Sequence, residues 1–335
     1  MKSRKALISI IFALVLFVAP LVGDAQPPRK VPRIGYLSES SLGSAGPASP
    51  AITGFQIGLR ELGYIDGKNI VIEYRFTEGK RDRLPELAAE LARLKVDIIV
   101  TESGQAALQA KKATQTIPIV MGVSGDPVTL RLVVSLDHPG GNVTGLTWLT
   151  RATTGKRLQL LAEVVPKLTH VGVLWPGSGN PVMDQEWADT HAAAQPLQVQ
   201  LHSLAVRGSE ELPGAFVEAA RQHIQAVFMF DVPRLAEVTA GTAELALKNR
   251  LPMISIYPWL TRRGGLMSYS ADMLIPELLR RAAAYVDRIL KGAKPSDLPV
   301  EQPKKFELVI NLKTAKALGL KIPQSVLNQA DRVFE

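Results

Sequence analysis

LPELAAELARLKVDIIVTESGQAALQAKKATQTIPIVMGV, residues 84–123, decides the fold class of this chain. A helix from Leu84 to Leu94 runs into the apolar strand VDIIVTE (96–102). A helix from Gly104 to Ala113 then runs into a second strand, IPIVMGV (117–123). Apolar strands alternating with helices build a parallel sheet covered on both faces. Upstream, VPRIGYLS (31–38) and NIVIEYRF (69–76) flank a helix over 51–63, with Ile52, Phe55, Leu59 and Leu62 on one face and Gly63 as its stop. Downstream, Pro139-Gly140-Gly141-Asn142 makes a turn, and VTGLTW (143–148) carries the chain onward.

The alternation then restarts with HVGVLW (170–175), a helix at about 182–195, VQLHSLAV (199–206), a helix through 210–223, AVFMF (226–230), a helix through 234–249 and PMISIY (252–257). GGLMSYS (264–270), an amphipathic helix 275–291, a Gly-Ala-Lys-Pro linker at 292–295, FELVINL (306–312) and a short helix ending at Gly319 complete it. The expected architecture is α/β, with two doubly wound parallel-sheet lobes joined by crossover strands. Residues 26–145 plus about 271–302 form the first lobe, and 146–270 plus about 303–335 the second. A chain of this length exceeds the size at which one core usually stops growing.

Lys2, Arg4 and Lys5 precede an apolar run from Ala6 to Ala19, which Pro20 breaks before Gly23-Asp24-Ala25. Basic, apolar and small-residue segments in that order describe a signal peptide over residues 1–25, cleaved after Ala25 to leave Gln26 first. The run is shorter than the roughly 20 residues a bilayer-spanning helix needs. The protein is therefore expected to be periplasmic. No cysteine occurs among the 335 residues, which excludes disulfides, a thiol nucleophile, a cysteine metal site and a lipoprotein anchor. The net charge of +8 falls to +6 once residues 1–25, with three basic side chains and Asp24, are removed. The basic residues are scattered among acidic ones and form no stripe, so no nucleic-acid partner is expected.

RELGYIDGKNIVIEYRF (60–76), DRLPELAAELARLKVDIIV (82–100), PGGNVTGL (139–146), GGLMSY (264–269) and KFELVINLKTAKALGLKIP (305–323) resemble the ABC transporter substrate-binding proteins of the tryptophan/tyrosine-binding type. The similarity covers essentially the whole chain after the signal. It implies the type I periplasmic-binding fold, with a ligand cleft between two lobes. It also implies capture of a small solute, an amino acid or similar small carboxylate, and its delivery to an inner-membrane ABC permease with a cytoplasmic ATPase. The protein is expected to be a monomer without a cofactor or metal.

Ligands of open α/β sheets sit outside the carboxyl ends of the strands. Those ends supply Ser38 and Glu39, then Ser103, Gly104 and Gln105, then Ser124 and Asp126, from the first lobe. The second supplies Asn180, Asp231, Tyr257 and Tyr269. Ser103 before Gly104 reads as an N-cap that leaves backbone N–H groups able to bind a ligand carboxylate, a position where the resemblance implies ligand contacts; it reads equally as an ordinary cap. Asp126 either pairs with a ligand ammonium or caps a helix beginning at Pro127, and both roles can hold together. Tyr257 and Tyr269 offer stacking faces and hydroxyls and rank above Trp175 and Trp259, which lie near the same strand ends and read equally as stacking surfaces or as core plugs. The first cleft loop departs from the Gly-Thr-Pro common in the family, Pro176 to Pro181 replaces its Asn-Pro start, and Arg262-Arg263 stand where an acidic residue is frequent. Ligand identity therefore does not carry over.

An enzyme is the main rival from another class. The chain lacks Gly-x-Ser-x-Gly, His-Glu-x-x-His and a phosphate-binding loop, since Gly155-Lys156 is followed by Arg157. His138, His170, His191, His202 and His223 lie far apart in sequence, with no pair at metal-ligand spacing. A sensor presenting its solute to a membrane receptor needs the same cleft, and nothing in the sequence separates it from a transport component.

Overall fold

The computed structural model describes residues 31–39, 49–148, 153–230, 236–271 and 275–335. The expected signal peptide and Asp231 lie outside these residues. The part from Pro32 to Glu335 forms one compact unit built on two sheets. The first is five-stranded and wholly parallel, in the order β2-β1-β3-β4-β5, from β1 (Arg33–Ser38), β2 (Val71–Phe76), β3 (Ile98–Thr101), β4 (Ile119–Met121) and β5 (Val143–Gly145).

Strands buried on both faces need apolar side chains on both, and β1 shows the division. Ile34 and Tyr36 pack with Ile52, Phe55 and Leu59 of α1 (Pro50–Glu61) and with Leu278, Leu279 and Ala282, while Leu37 packs on the opposite face with Leu84, Leu87 and Leu91 of α2 (Leu84–Arg93) and with Ala106, Ala107 and Ala110 of α3 (Gly104–Ala113).

The second sheet has seven strands in the order β12-β11-β10-β9-β8-β6-β7. They are β6 (His170–Trp175), β7 (Gln200–Ala205), β8 (Ala226–Met229), β9 (Met253–Ser255), β10 (Met267–Ala271), β11 (Phe306–Asn311) and β12 (Arg332–Phe334). Pairing is parallel throughout except where β11 runs antiparallel to β10. Its helices include α4 (Thr154–Val164), α5 (Pro181–Ala194), α6 (Leu212–Arg221), α7 (Ala236–Lys248) and the short α8 (Pro258–Arg262). Arg157 of α4 is fully buried and ties three elements together. Its guanidinium donates to Glu186 Oε1 of α5 at 2.7 Å and to the Met229 carbonyl of β8 at 2.9 Å, and it lies 4.6 Å from the centre of the Phe228 ring.

Helix α9 (Ile275–Leu290) follows the second-sheet strand β10 in sequence but packs on α1 of the first sheet. A Cβ at Gly54 would run into the Pro276 carbonyl oxygen, and one at Gly58 into the Arg280 carbonyl oxygen, so this close approach requires glycine at both. Tyr64 donates to Asp287 Oδ1 at 3.0 Å and Arg280 reaches Glu61 at 2.6 Å, adding polar ties across the same contact. Two chain crossings run side by side: Leu146 bridges Glu301 in parallel, Glu301 N donates to Gly145 O at 2.8 Å, and Thr147 N donates to Glu301 O at 2.9 Å.

Differences from the sequence reading concern ends and short pieces. VTGLTW is a strand only to Gly145, because its next residues pair with Glu301 as crossover chain. FELVINL ends at Asn311, whose side chain accepts from Thr314 N at 3.0 Å and so begins the helix α10 (Leu312–Leu318). The short elements α8, α11 (Gln324–Leu327) and β12 were not anticipated.

Candidate functional site

In a sheet of order 2-1-3 the crossovers leave β1 toward opposite faces, and the carboxyl ends of β1 and β3 open a crevice at that switch point. The first sheet has this order, and the residues at those two ends are Ser38-Glu39 and Glu102-Ser103. They interlock. Tyr36 donates its phenol to Glu102 Oε1 at 2.7 Å, and Ser38 donates its hydroxyl to the other oxygen of the same carboxylate. Burial, with the neighbouring Glu102 carboxylate adding to it, pushes the Tyr36 phenol well above its ordinary pKa. Tyr36 and Ser38 point to the same face because they are two apart on one strand.

Ser103 caps α3 as expected: its backbone is extended and its Oγ accepts from Ala106 N at 3.0 Å. The same hydroxyl donates to Glu39 Oε1. Glu39 Oε2 lies 2.5 Å from Arg81 Nε, an ionic contact. Gly104 is buried under Leu130 and Ser124; a Cβ there would stand 2.6 Å from Leu130 Cδ1 and 3.1 Å from Ser124 Oγ. Gln105 sits half-buried on the first turn of α3. Ser124, 1 % exposed, holds the crossover with its carbonyl, which accepts from Trp148 N at 2.7 Å, while its hydroxyl has no hydrogen-bond partner.

Asp126 is engaged in its own turn. Oδ1 accepts from Val128 N and Thr129 N, both at 3.0 Å, and Oδ2 from the Thr129 hydroxyl at 2.7 Å. These bonds serve a turn over residues 127–131, and no helix begins at Pro127 as the sequence reading expected. Asp126→Ala is accordingly expected to lower stability without ligand by about 1–2 kcal/mol, the scale of a lost cap. Urea unfolding would register this, and an unchanged midpoint would mean the turn holds without the carboxylate.

The second sheet has its own switch point, between β6 and β8. Asn180 caps α5, its Oδ1 accepting from Val182 N at 3.0 Å. Gly125, in the loop that follows β4 of the first sheet, comes to this helix start, a Cβ on it lying 3.7 Å from Val182 Cγ1. Tyr257 precedes α8, its ring 5.8 Å from that of Trp259, while Tyr269 stacks on Phe306 at 5.8 Å and 24°. Burial, then the nearby Asp331, raises the Tyr269 hydroxyl pKa. Of the two readings open for the tryptophans, Trp175 is a core plug, 7 % exposed, stacked on Trp187 at 4.7 Å and bonded to Ser203, whereas Trp259 is 36 % exposed.

Ser38, Glu39, Ser103, Gly104 and Ser124 thus meet at one sheet edge, and the tyrosines lie on the second sheet. Arg81 and Tyr36 were not singled out from sequence, although the Tyr36–Ser38 alternation beside the acidic strand end at Glu102 was a usable signal. Two of the histidines that lie far apart in sequence meet in space. His170 Nδ1 and His202 Nε2 stand 3.0 Å apart, because β6 and β7 are neighbouring strands. No group of three or more potential metal ligands occurs among the described residues.

A curated tyrosine-binding protein of Clostridioides difficile (strain R20291) is 27 % identical over 343 residues, covering 95 % of this chain and 93 % of that protein. A conserved domain protein from Vibrio cholerae superposes with a TM-score of 0.79 at 25 % identity, covering 91 % of this chain and all of that one. An ABC domain in complex with L-Trp from Streptococcus pneumonia superposes with a TM-score of 0.76 at 25 % identity, covering 90 % and 99 %. The two sheets of mostly parallel strands with flanking helices are the type I periplasmic-binding fold. The family model for the ABC transporter substrate binding protein matches residues 46–334, and the chain belongs to that family.

Proposed function

We propose that this chain is the solute receptor of an ABC importer, works in the periplasm after cleavage behind Ala25, and closes its two lobes over a small amino-acid-like solute. The lobes are taken as residues 26–145 with about 271–302, and 146–270 with about 303–335. The observation that carries the reading is the meeting of Ser38, Glu39, Ser103, Gly104 and Ser124 at the β1/β3 switch point, where open α/β sheets take their ligands. Gln105, Asp126, Asn180, Asp231, Tyr257 and Tyr269 complete the proposed lining. The tyrosine-binding relative and the L-Trp complex make aromatic amino acids the first solutes to test, and Tyr257 and Tyr269 supply rings and hydroxyls suited to a flat ligand. Delivery is to an inner-membrane permease with its cytoplasmic ATPase, by a monomer.

Calorimetry and thermal unfolding of the protein beginning at Gln26, against tyrosine, tryptophan and other amino acids, test this. A solute at a hundred times its dissociation constant is expected to stabilise by about 2.7 kcal/mol. X-ray scattering should then report a smaller radius of gyration, because contacts to both lobes exist only in the closed state. Tight binding without compaction would put the solute on one lobe, and silence across the amino acids would remove that solute class.

A further inference from the structure

The N-cap serine of α3 is already bonded to an anion of the chain itself, Glu39. A helix N-terminus with an N-cap serine is the place for a ligand carboxylate, yet the Ser103 hydroxyl gives its one proton to Glu39 and takes its acceptor bond from Ala106 N. Glu39 is held from two further sides, by the ionic contact with Arg81 at 2.5 Å and by Thr77, whose hydroxyl donates to the Glu39 carbonyl at 2.7 Å. A solute carboxylate arriving here would have to expel Glu39 and leave Arg81 behind, or sit against a like charge. The Glu102 carboxylate, accepting from Tyr36 and Ser38, stands at the end of the neighbouring strand. A chain of net charge +8 thus places acidic groups at this edge, against its overall sign. Beside them the Ser124 hydroxyl, 1 % exposed and without a hydrogen-bond partner, faces the first turn of α3 at Gly104. A buried hydroxyl left unpaired is costly and marks a place where a partner is missing.

We infer that Glu39 determines which end of a solute the first sheet admits: it fills the anion position at the α3 N-terminus itself, so the solute is held there by an ammonium or comparable N–H donor and not by a carboxylate. The inference rests on the solute-receptor reading and narrows it to amine-bearing solutes. Glu39 and Glu102 accept from the ammonium, as ionised carboxylates do most strongly, and Ser124 adds a neutral acceptor.

Three matched compounds separate the possibilities by calorimetry: tyrosine, tyramine, which lacks the carboxylate, and 3-(4-hydroxyphenyl)propionate, which lacks the amine. Tyramine is expected to bind at least thirtyfold more tightly than the acid. Glu39→Gln, which keeps the size and the acceptor for Ser103 but removes the charge, is expected to narrow that gap at least tenfold, with its melting curve confirming a folded protein. A smaller gap in the unaltered protein, or a gap that Glu39→Gln narrows less than tenfold, overturns the role of Glu39 and leaves the solute receptor standing. Failure of all three compounds to bind overturns tyrosine as the solute and this inference with it, while the amino-acid reading is judged by the wider screen above.

Discussion

Arg157→Ala is expected to cost about 3–5 kcal/mol of folding stability, the scale of breaking a buried ion pair by removing one partner. Both Arg157 and Glu186 are fully buried, and truncating the arginine leaves the Glu186 carboxylate in the core without its 2.7 Å partner. The loss also frees the Met229 carbonyl and empties the space beside Phe228. Against a total stability of about 5–15 kcal/mol for ordinary domains, this is a large fraction. The pair's worth lies in its completeness, not in net attraction, since desolvation offsets much of the Coulomb energy. Arg157→Met combined with Glu186→Leu is therefore expected to recover most of what Arg157→Ala loses. Urea unfolding of the single and double variants distinguishes the cases. A double variant as unstable as Arg157→Ala would show that the hydrogen bonds to β8, and not the buried charge, set the cost.

The sequence could announce the central strands because they are apolar on both faces and bounded by turns, as IIVT and HVGVLW are. It could announce the Ser103 cap because a cap is a local object, three residues from its partner Ala106. What the cap's hydroxyl proton does is not local. Glu39 lies 64 residues away and reaches Ser103 only because β1 and β3 are neighbours. The same holds for His170 and His202, remote in sequence and adjacent across β6 and β7. Arg157 was read only as spoiling a phosphate-binding pattern, because a lone arginine in a helix carries no sign that it will be enclosed. Short pieces such as β12 escaped because three residues give no period to read. Periodicity and caps were therefore legible, and the pairs that close the candidate site depended on strand order.

Gly54→Ala and Gly58→Ala are expected to destabilise the protein although each adds a better helix former. Alanine in place of glycine within a helix is worth about 1 kcal/mol by propensity alone. The added Cβ at position 54 meets the Pro276 carbonyl, and the one at 58 meets the Arg280 carbonyl and stands 2.9 Å from the Ala283 Cβ. Backbone atoms cannot rotate aside as side chains do, so α1 and α9 must separate. Overpacking of this kind costs about 1–3 kcal/mol, occasionally more, and outweighs the propensity gain. Separation would also stretch the Tyr64–Asp287 and Arg280–Glu61 contacts and uncover Phe55, Leu278 and Leu279. Both substitutions open one interface, so the double variant should lose less than the sum of the singles. Thermal unfolding checks the sign directly: a rise in melting temperature for either single variant would show that the helices part at no cost, and that α9 is held on the first sheet by its apolar face and polar ties alone.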